Sequence, residues 1–424
     1  MFQLNNLRRL DALLVYLVLE GGSALFFHLT LTIYVVYWTT AAGLDPFQIM
    51  LVAAAFEGTI FLFEIPTGVV ADSYSRRLSI IIGVLLAGIG LLVQGLVPTF
   101  VAILAAEVVS GIGATFLSGA TQAWVADELG EEHAGAAFVR GAQARTLGGM
   151  IGTVLSVMLA SENLSLPVIM SGVLMLCLAA FLALFMPERG FRPTPHAKRS
   201  TWRTLAATFR SGVALVRMRR LLLILLAIEV VFAIHTEGFD QLWQAHFLEN
   251  FTLPSLGAID PVVWFGIFSL GANGLSIALN EIVRRRVRLD AHESTTRALM
   301  SVYALMSLGI FAFSLAGQFA LAIAAYWLVA ALRGVQRPMS EAWLNQHITP
   351  ERRATMFSMA GQLGSIGETL SGPPVGALGT QVSLRAALAA GGTILMLTLP
   401  LFRVALKVED EKQQHHQEAL KFEG

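Results

Sequence analysis

Twelve long apolar stretches leave this chain few ways to fold. They lie at roughly 12–38, 47–71, 78–97, 100–126, 138–160, 166–186, 221–247, 262–282, 297–316, 318–338, 355–378 and 383–405. Each has about the 20 residues that a helix needs to cross hydrocarbon. Lipid offers no partner to backbone N–H and C=O groups, so only helices and closed barrels can span it. These runs are continuous and lack the short alternation of barrel strands, which selects helices. Proline marks several ends, as at Pro46, Pro98, Pro187, Pro261 and Pro338. Only 14% of the residues are charged against 55% apolar. A water-soluble fold averages about 25% charged, so the chain is too poor in polar residues to cover itself in water. The run after MFQLNNLRRL is longer than a signal-peptide core and reads as a retained first span.

Basic residues alternate from loop to loop. Arg8 and Arg9 precede span 1, and Arg76 and Arg77 separate spans 2 and 3. Segment 187–220 is rich in Lys and Arg, Arg284–Arg286 and Arg288 follow span 8, Arg352 and Arg353 follow span 10, and Lys407, Lys412 and Lys421 close the chain. The loops at 39–46, 98–100, 161–165, 248–261, 316–317 and 379–382 hold no Lys or Arg. The positive-inside rule then puts both termini in the cytoplasm, and the expected location is the cell's inner (plasma) membrane. Losing one span would scramble the alternation.

The widest polar segment divides the chain almost in half. The expected organisation is a six-helix half at 1–186, a cytoplasmic linker at 187–220, a second six-helix half at 221–406 and a tail at 407–424. In the linker, Arg203, Arg210 and Arg217 recur every seven residues, which suits a basic amphipathic helix on the inner leaflet. The halves also share sequence. TQAWVADELGEEHAGAAFVRGAQ from Thr121 aligns without a gap to SEAWLNQHITPERRATMFSMAGQ from Ser340. Ala123/Ala342, Trp124/Trp343, Glu132/Glu351, Phe138/Phe357, Gln143/Gln362 and, beyond the stretch, Gly148/Gly367 match at an offset of 342 − 123 = 219 residues. The fold class expected is an all-α polytopic membrane protein, with twelve transmembrane helices in two pseudo-symmetric halves.

Between spans 2 and 3 runs GVVADSYSRRLSI, from Gly68 to Ile80. It resembles the Gly-x-x-x-Asp-Arg-x-Gly-Arg-Lys/Arg loop of the major facilitator superfamily, with Gly68, Asp72, Arg76 and Arg77 matching. Ser73 and Ser75 stand where the family has Arg and Gly. The resemblance implies a loop that latches two halves. Gly68 would let helices approach closely, and Asp72 would cap or pair with a neighbouring helix end. Glu64-Ile65-Pro66-Thr67-Gly68 and Ser118-Gly119-Ala120 through Trp124 look like a drug-efflux branch of that family. Two departures weaken an antiporter reading. Glu107 stands where such antiporters carry Arg in span 4, and Gly148-Gly149-Met150-Ile151-Gly152 in span 5 lacks their proline.

An ionisable side chain at the bilayer centre costs at least about 2.5 kcal/mol, so it usually lines a cavity and has a task. Glu20 and Glu229 each lie about 8 residues into equivalent spans 1 and 7, roughly 12 Å deep, and Glu57 enters span 2 to about 15 Å. Glu57 and Glu64 share a helix face, with Glu64 closer to the latch loop and structural. Glu237 and Asp240 of span 7 are i,i+3 neighbours, a spacing that suits a proton carrier. Arg333, toward the inner end of span 10, would neutralise a buried acid or snorkel to the headgroups. Glu20, Glu57, Glu229, Glu237, Asp240 and Arg333 are therefore the candidates for proton coupling or the substrate cavity. The acidic balance favours cationic or zwitterionic solutes, or protons.

The expected function is a secondary active transporter working by alternating access, coupled to protons and exporting small amphipathic or cationic compounds. A proton-coupled uptake symporter for a nutrient, or a non-transporting receptor-like membrane protein, are the alternatives. Expected partners are a small-molecule substrate, protons and the bilayer, with the chain acting as a monomer. Lys+Arg and Asp+Glu are both 29, which gives no electrostatic reason to bind nucleic acid. There is no Walker A sequence for ATP drive and no nucleophile–base constellation, so no enzyme is expected. The single cysteine, Cys177, excludes an intramolecular disulfide and a cysteine-based metal site. No cofactor is expected.

Overall fold

The computed structural model describes residues 10–193, 220–254, 260–286, 292–348 and 350–423. The proposed linker helix falls almost wholly outside them. Among the described residues there are helices and no strands. Spans 2, 3, 5 and 6 are Pro46–Ser73, Arg76–Leu96, Glu131–Ala160 and Ser165–Phe185. Spans 7 to 11 are Arg220–Asn250, Val263–Arg286, His292–Ser314, Phe319–His347 and Pro350–Gln381. The remaining three are interrupted. Span 1 is Ala12–Leu31 continued by Tyr34–Thr40, span 4 is Phe100–Leu117 continued by Ala120–Leu129, and span 12 is Leu384–Met396 continued by Thr398–Glu423. The helix thus runs on through residues expected to form a separate tail.

Local sequence sets these boundaries. Asp45 accepts from the Gln48 backbone N–H while the Gln48 side chain accepts from the Asp45 N–H, a capping box with Pro46 in the first turn. Ser75 caps span 3 by accepting from the Leu78 N–H at 2.9 Å. The latch sequence is therefore a helix end, a tight turn and a helix start rather than an open loop. Gly119 and Gly130 have φ of +70° and +79° and bracket the short helix Ala120–Leu129. Side chains rarely adopt that backbone, so glycine is what allows the chain to break there.

Ten spans are long and apolar enough to cross a membrane by length and composition. The other two, spans 5 and 11, are equally long but lack so apolar a window among the described residues. They are also counterparts under the 219-residue offset, so the duplication extends to their departure from plain apolar helices. The described residues fall into two compact units. One takes in those before Leu205 with Pro254–Ser269, and the other those of Ala206–Leu253 and Leu270–Gly424.

Candidate transport site

In the first unit, span 5 is pressed against span 1 through small residues. A Cβ on Gly148 would overlap the carbonyl of Gly21, and one on Gly152 the carbonyl of Leu25. Gly141 lies against the Tyr16 ring in the same seam. The Gly-Gly-x-x-Gly run is thus a surface for close helix approach. That closeness brings two residues 125 positions apart into an ion pair: Arg145 Nε donates to Glu20 Oε2 at 2.7 Å. The Glu20 side chain is 10% exposed and that of Arg145 61%. Among the exposed apolar residues of span 5, Leu147, Ile151, Val154 and Met158 form one stripe suited to lipid. Arg145 is on the opposite side of the helix, so its exposure is not toward that stripe.

The second unit holds another acid–arginine pair. Arg333 Nη2 donates to Asp240 Oδ2 at 2.7 Å, a second contact joins Nη1 to Oδ1, and the guanidinium lies 5.8 Å from the Phe239 ring centroid. Here the acid is the more open member, 41% exposed against 22% for the arginine. Arg333 thus has a carboxylate partner in Asp240. Beside the pair, Trp243 stacks on Tyr326 at 4.4 Å. Of the expected Glu237/Asp240 couple, Glu237 is buried and accepts from the Gln241 amide at 3.3 Å, and Asp240 accepts from Arg333 of span 10. Glu229 is half-buried beside Ser340. In span 2, Glu57 is half-buried and Glu64 is exposed. Among the sequence candidates the described contacts join Asp240 to Arg333, and they add Arg145 as the partner of Glu20.

Arg76 and Arg77, at the start of span 3, have described contacts with span 4 and with the end of span 6. Arg76 pairs with Asp127 and donates to the Ala123 carbonyl at 2.7 Å. Glu188, just past span 6, accepts from the Ser75 hydroxyl at 2.7 Å and the Arg77 backbone N–H at 2.9 Å. Two expectations are not met among the described residues. A Cβ on Gly68 would meet nothing within 4 Å, so this glycine is not a close-approach point. Asp72 is half-buried without a described hydrogen bond to a helix end, and the carboxylate that pairs with Arg76 is Asp127. The second unit has its own version of the clasp. Glu409 in span 12 accepts from Thr296 Oγ1 at 3.0 Å and Trp343 Nε1 at 3.2 Å, with His347 Nε2 also at 3.2 Å. Trp124, the counterpart of Trp343, donates to the Pro187 carbonyl at 2.8 Å. Each matched tryptophan thus ties the fourth span of its half to the end of the sixth. Asp127, Glu188 and Glu409 were not singled out from sequence. Asp127 does lie inside the duplicated stretch, three residues after Trp124, which was the available signal.

No cluster of three or more His, Cys, Asp or Glu placed to hold a metal occurs among the described residues. The sequence profile of the Major Facilitator Superfamily matches residues 17–331. An uncharacterized MFS-type transporter, YxaM of Bacillus subtilis (strain 168), is 23% identical over 369 residues, 86% of this chain and 89% of that one. The fold is similar to that of a bacterial homologue of the human lysosomal transporter Spinster in an inward-facing, occupied conformation, with a TM-score of 0.72, 14% identity and coverage of 93% and 96%. A peptide transporter POT in complex with sulfate aligns at a TM-score of 0.72, 14% identity and 95% and 94% coverage. The nucleoside transporter NupG aligns at 0.70, 13% identity and 94% and 98% coverage. With the family profile matching most of the chain and the same twelve-span plan in the structure, this protein belongs to the Major Facilitator Superfamily and is a multi-pass secondary transporter.

Proposed function

We propose that protons drive this transporter, with the Glu20–Arg145 pair as the coupling element, and that it exports small amphipathic compounds bearing a charged group. The observation that carries the reading is a buried carboxylate behind an open guanidinium. Protonating Glu20 removes the charge that holds Arg145, so proton binding and the availability of the arginine become one event. A proton that binds two conformations unequally shifts their populations, which is what alternating access requires of a driving ion. The drug-efflux resemblance at Glu64–Gly68 and Ser118–Trp124 supports export. The exposed Arg145 favours a second reading, uptake of a carboxylate-bearing nutrient together with a proton. The Lys/Arg alternation supports cytoplasmic termini in the inner membrane, and the chain is taken as a monomer.

Proteoliposomes with pH gradients of either sign test this, using ethidium as a cationic probe and dialanine as a carboxylate-bearing one. Export predicts ethidium movement against an inward proton gradient, and uptake predicts dialanine movement along with it. Glu20→Gln imitates the protonated acid, so gradient-driven accumulation should fall at least tenfold while probe exchange survives. Full accumulation by Glu20→Gln would remove the pair from the coupling role.

A further inference from the structure

Gln94 of span 3 is buried at the end of the first unit marked by the 97–99 turn, between two residues that define how it points. Trp38 Nε1 donates to Gln94 Oε1 at 3.1 Å, and Gln94 Nε2 donates to Glu107 Oε1 at 2.7 Å. An indole N–H can only donate. The carbonyl end of Gln94 must therefore face Trp38 and its NH2 end must face Glu107. Tyr37 holds the same residue from the other side, its hydroxyl donating to the Gln94 backbone carbonyl at 2.6 Å. Glu107 lies 7 residues into span 4, about 10 Å from the helix end. One turn on, and on the same face, Gly111 rests against Phe56 and Thr59 of span 2. Next to Glu107, Ala106 and Ser110 meet Gly90 of span 3.

This carboxyl thus has one neutral donor and, among the described residues, no ion pair. The titratable groups that the surrounding elements carry near this level are Tyr34 and Tyr37 of span 1 and Glu57 of span 2; span 3 carries none there. Glu20 and Asp240 each have an arginine, so their charge is matched in place. Glu107 is half-buried and has no such match among the described residues, and an unmatched anion partly removed from water is costly. A proton settles the balance without a second residue: the C=O accepts from Gln94 and the O–H stays free to donate.

We propose that Glu107 is a proton-binding site of this transporter, held by Gln94 and linked through it to the end of span 1. Span 1 is interrupted after Leu31, and its last turns, Tyr34–Thr40, carry both residues that grip Gln94. Loss of the proton would put a charge beside the Gln94 amide and strengthen that hydrogen bond. The change is then felt at a segment already separated from the rest of its helix. The link to transport rests on the proton-driven reading above, whereas the proton site does not.

Infrared difference spectroscopy on the full chain in lipid nanodiscs tests the site without a substrate. Wild type should show a protonated-carboxyl C=O absorption at neutral pH. Glu107→Gln, which keeps the shape and the acceptor, should lose one carboxyl equivalent of it, while Glu20→Gln should leave that component intact. Gln94→Leu retains Glu107 but removes its donor, so the component should move to higher frequency as the carbonyl is freed. This second variant decides the matter should Glu107→Gln fold poorly. An undiminished absorption in Glu107→Gln, or an unshifted one in Gln94→Leu, would overturn the proposal. A lost component together with unaltered gradient-driven accumulation would uphold the site and overturn its link to transport.

Discussion

Spans 1 and 5 of the first unit and spans 7 and 10 of the second each bring a carboxylate to an arginine, yet they present opposite charges. In the first unit the arginine is the open member and the acid lies behind it; in the second the acid is open and the arginine lies by the Phe239 ring. The arginines are not counterparts. Position 145 plus 219 falls on Gly364 of span 11, and Arg333 less 219 falls on Ala114 of span 4. A duplicated frame has therefore acquired its charge pairs separately in its two units. The pairs are a better guide to specialisation than the shared helices are.

The sharpest way to break this comparison is at the matched glycines. Gly148 sits where a Cβ would overlap the Gly21 carbonyl, whereas a Cβ on Gly367 would lie 3.4 Å from Ile234 Cγ1, an ordinary contact. Backbone overlap cannot be relieved by a rotamer change, so Gly148→Ala should destabilise by about 3 kcal/mol, the upper end of overpacking costs. Gly367→Ala, free of backbone overlap, should leave stability unchanged or raise it by up to about 1 kcal/mol through helix propensity. Melting of the two purified variants beside wild type measures this, and equal losses would refute a seam special to spans 1 and 5.

The next test removes each arginine. Arg145→Leu leaves Glu20 as a buried acid without its cation and should cost about 2 kcal/mol, reduced from a fully buried pair because Arg145 is largely solvated. Arg333→Leu leaves the more open Asp240 and should cost about 1 kcal/mol. Adding Glu20→Gln to Arg145→Leu should recover most of the loss, because the cost lies in the abandoned charge. Greater damage from Arg333→Leu, or no recovery in the double variant, would reverse the ranking.

The smallest expected difference is between the clasps. Glu409 is buried with Thr296, Trp343 and His347 around it; Glu188 is half-buried and accepts from Ser75 and Arg77. Glutamine retains an acceptor oxygen and loses the charge. Glu409→Gln should therefore lower stability by about 1 kcal/mol and Glu188→Gln by about half that. A larger loss from Glu188→Gln in parallel melts would show that the first clasp is the tighter.

The span count, the all-helical class and the repeat at 219 residues were legible in the sequence, because lipid imposes on each segment a condition that the segment meets alone. Helix length, apolar content and the alternation of Lys and Arg all need no distant partner. The caps at Asp45 and Ser75 were equally local. What each acid does was another matter. Glu20, Glu107 and Asp240 look alike in sequence, as carboxylates inside candidate spans with no arginine beside them in the chain. Only tertiary structure gives the first Arg145 from 125 residues away, the second a glutamine aimed by an indole, and the third Arg333 from span 10. Charge compensation depends on how closely two helices approach and which faces they turn to each other. In this chain the glycine seam on span 5 decided that closeness for Glu20, and packing between spans decided it for the others.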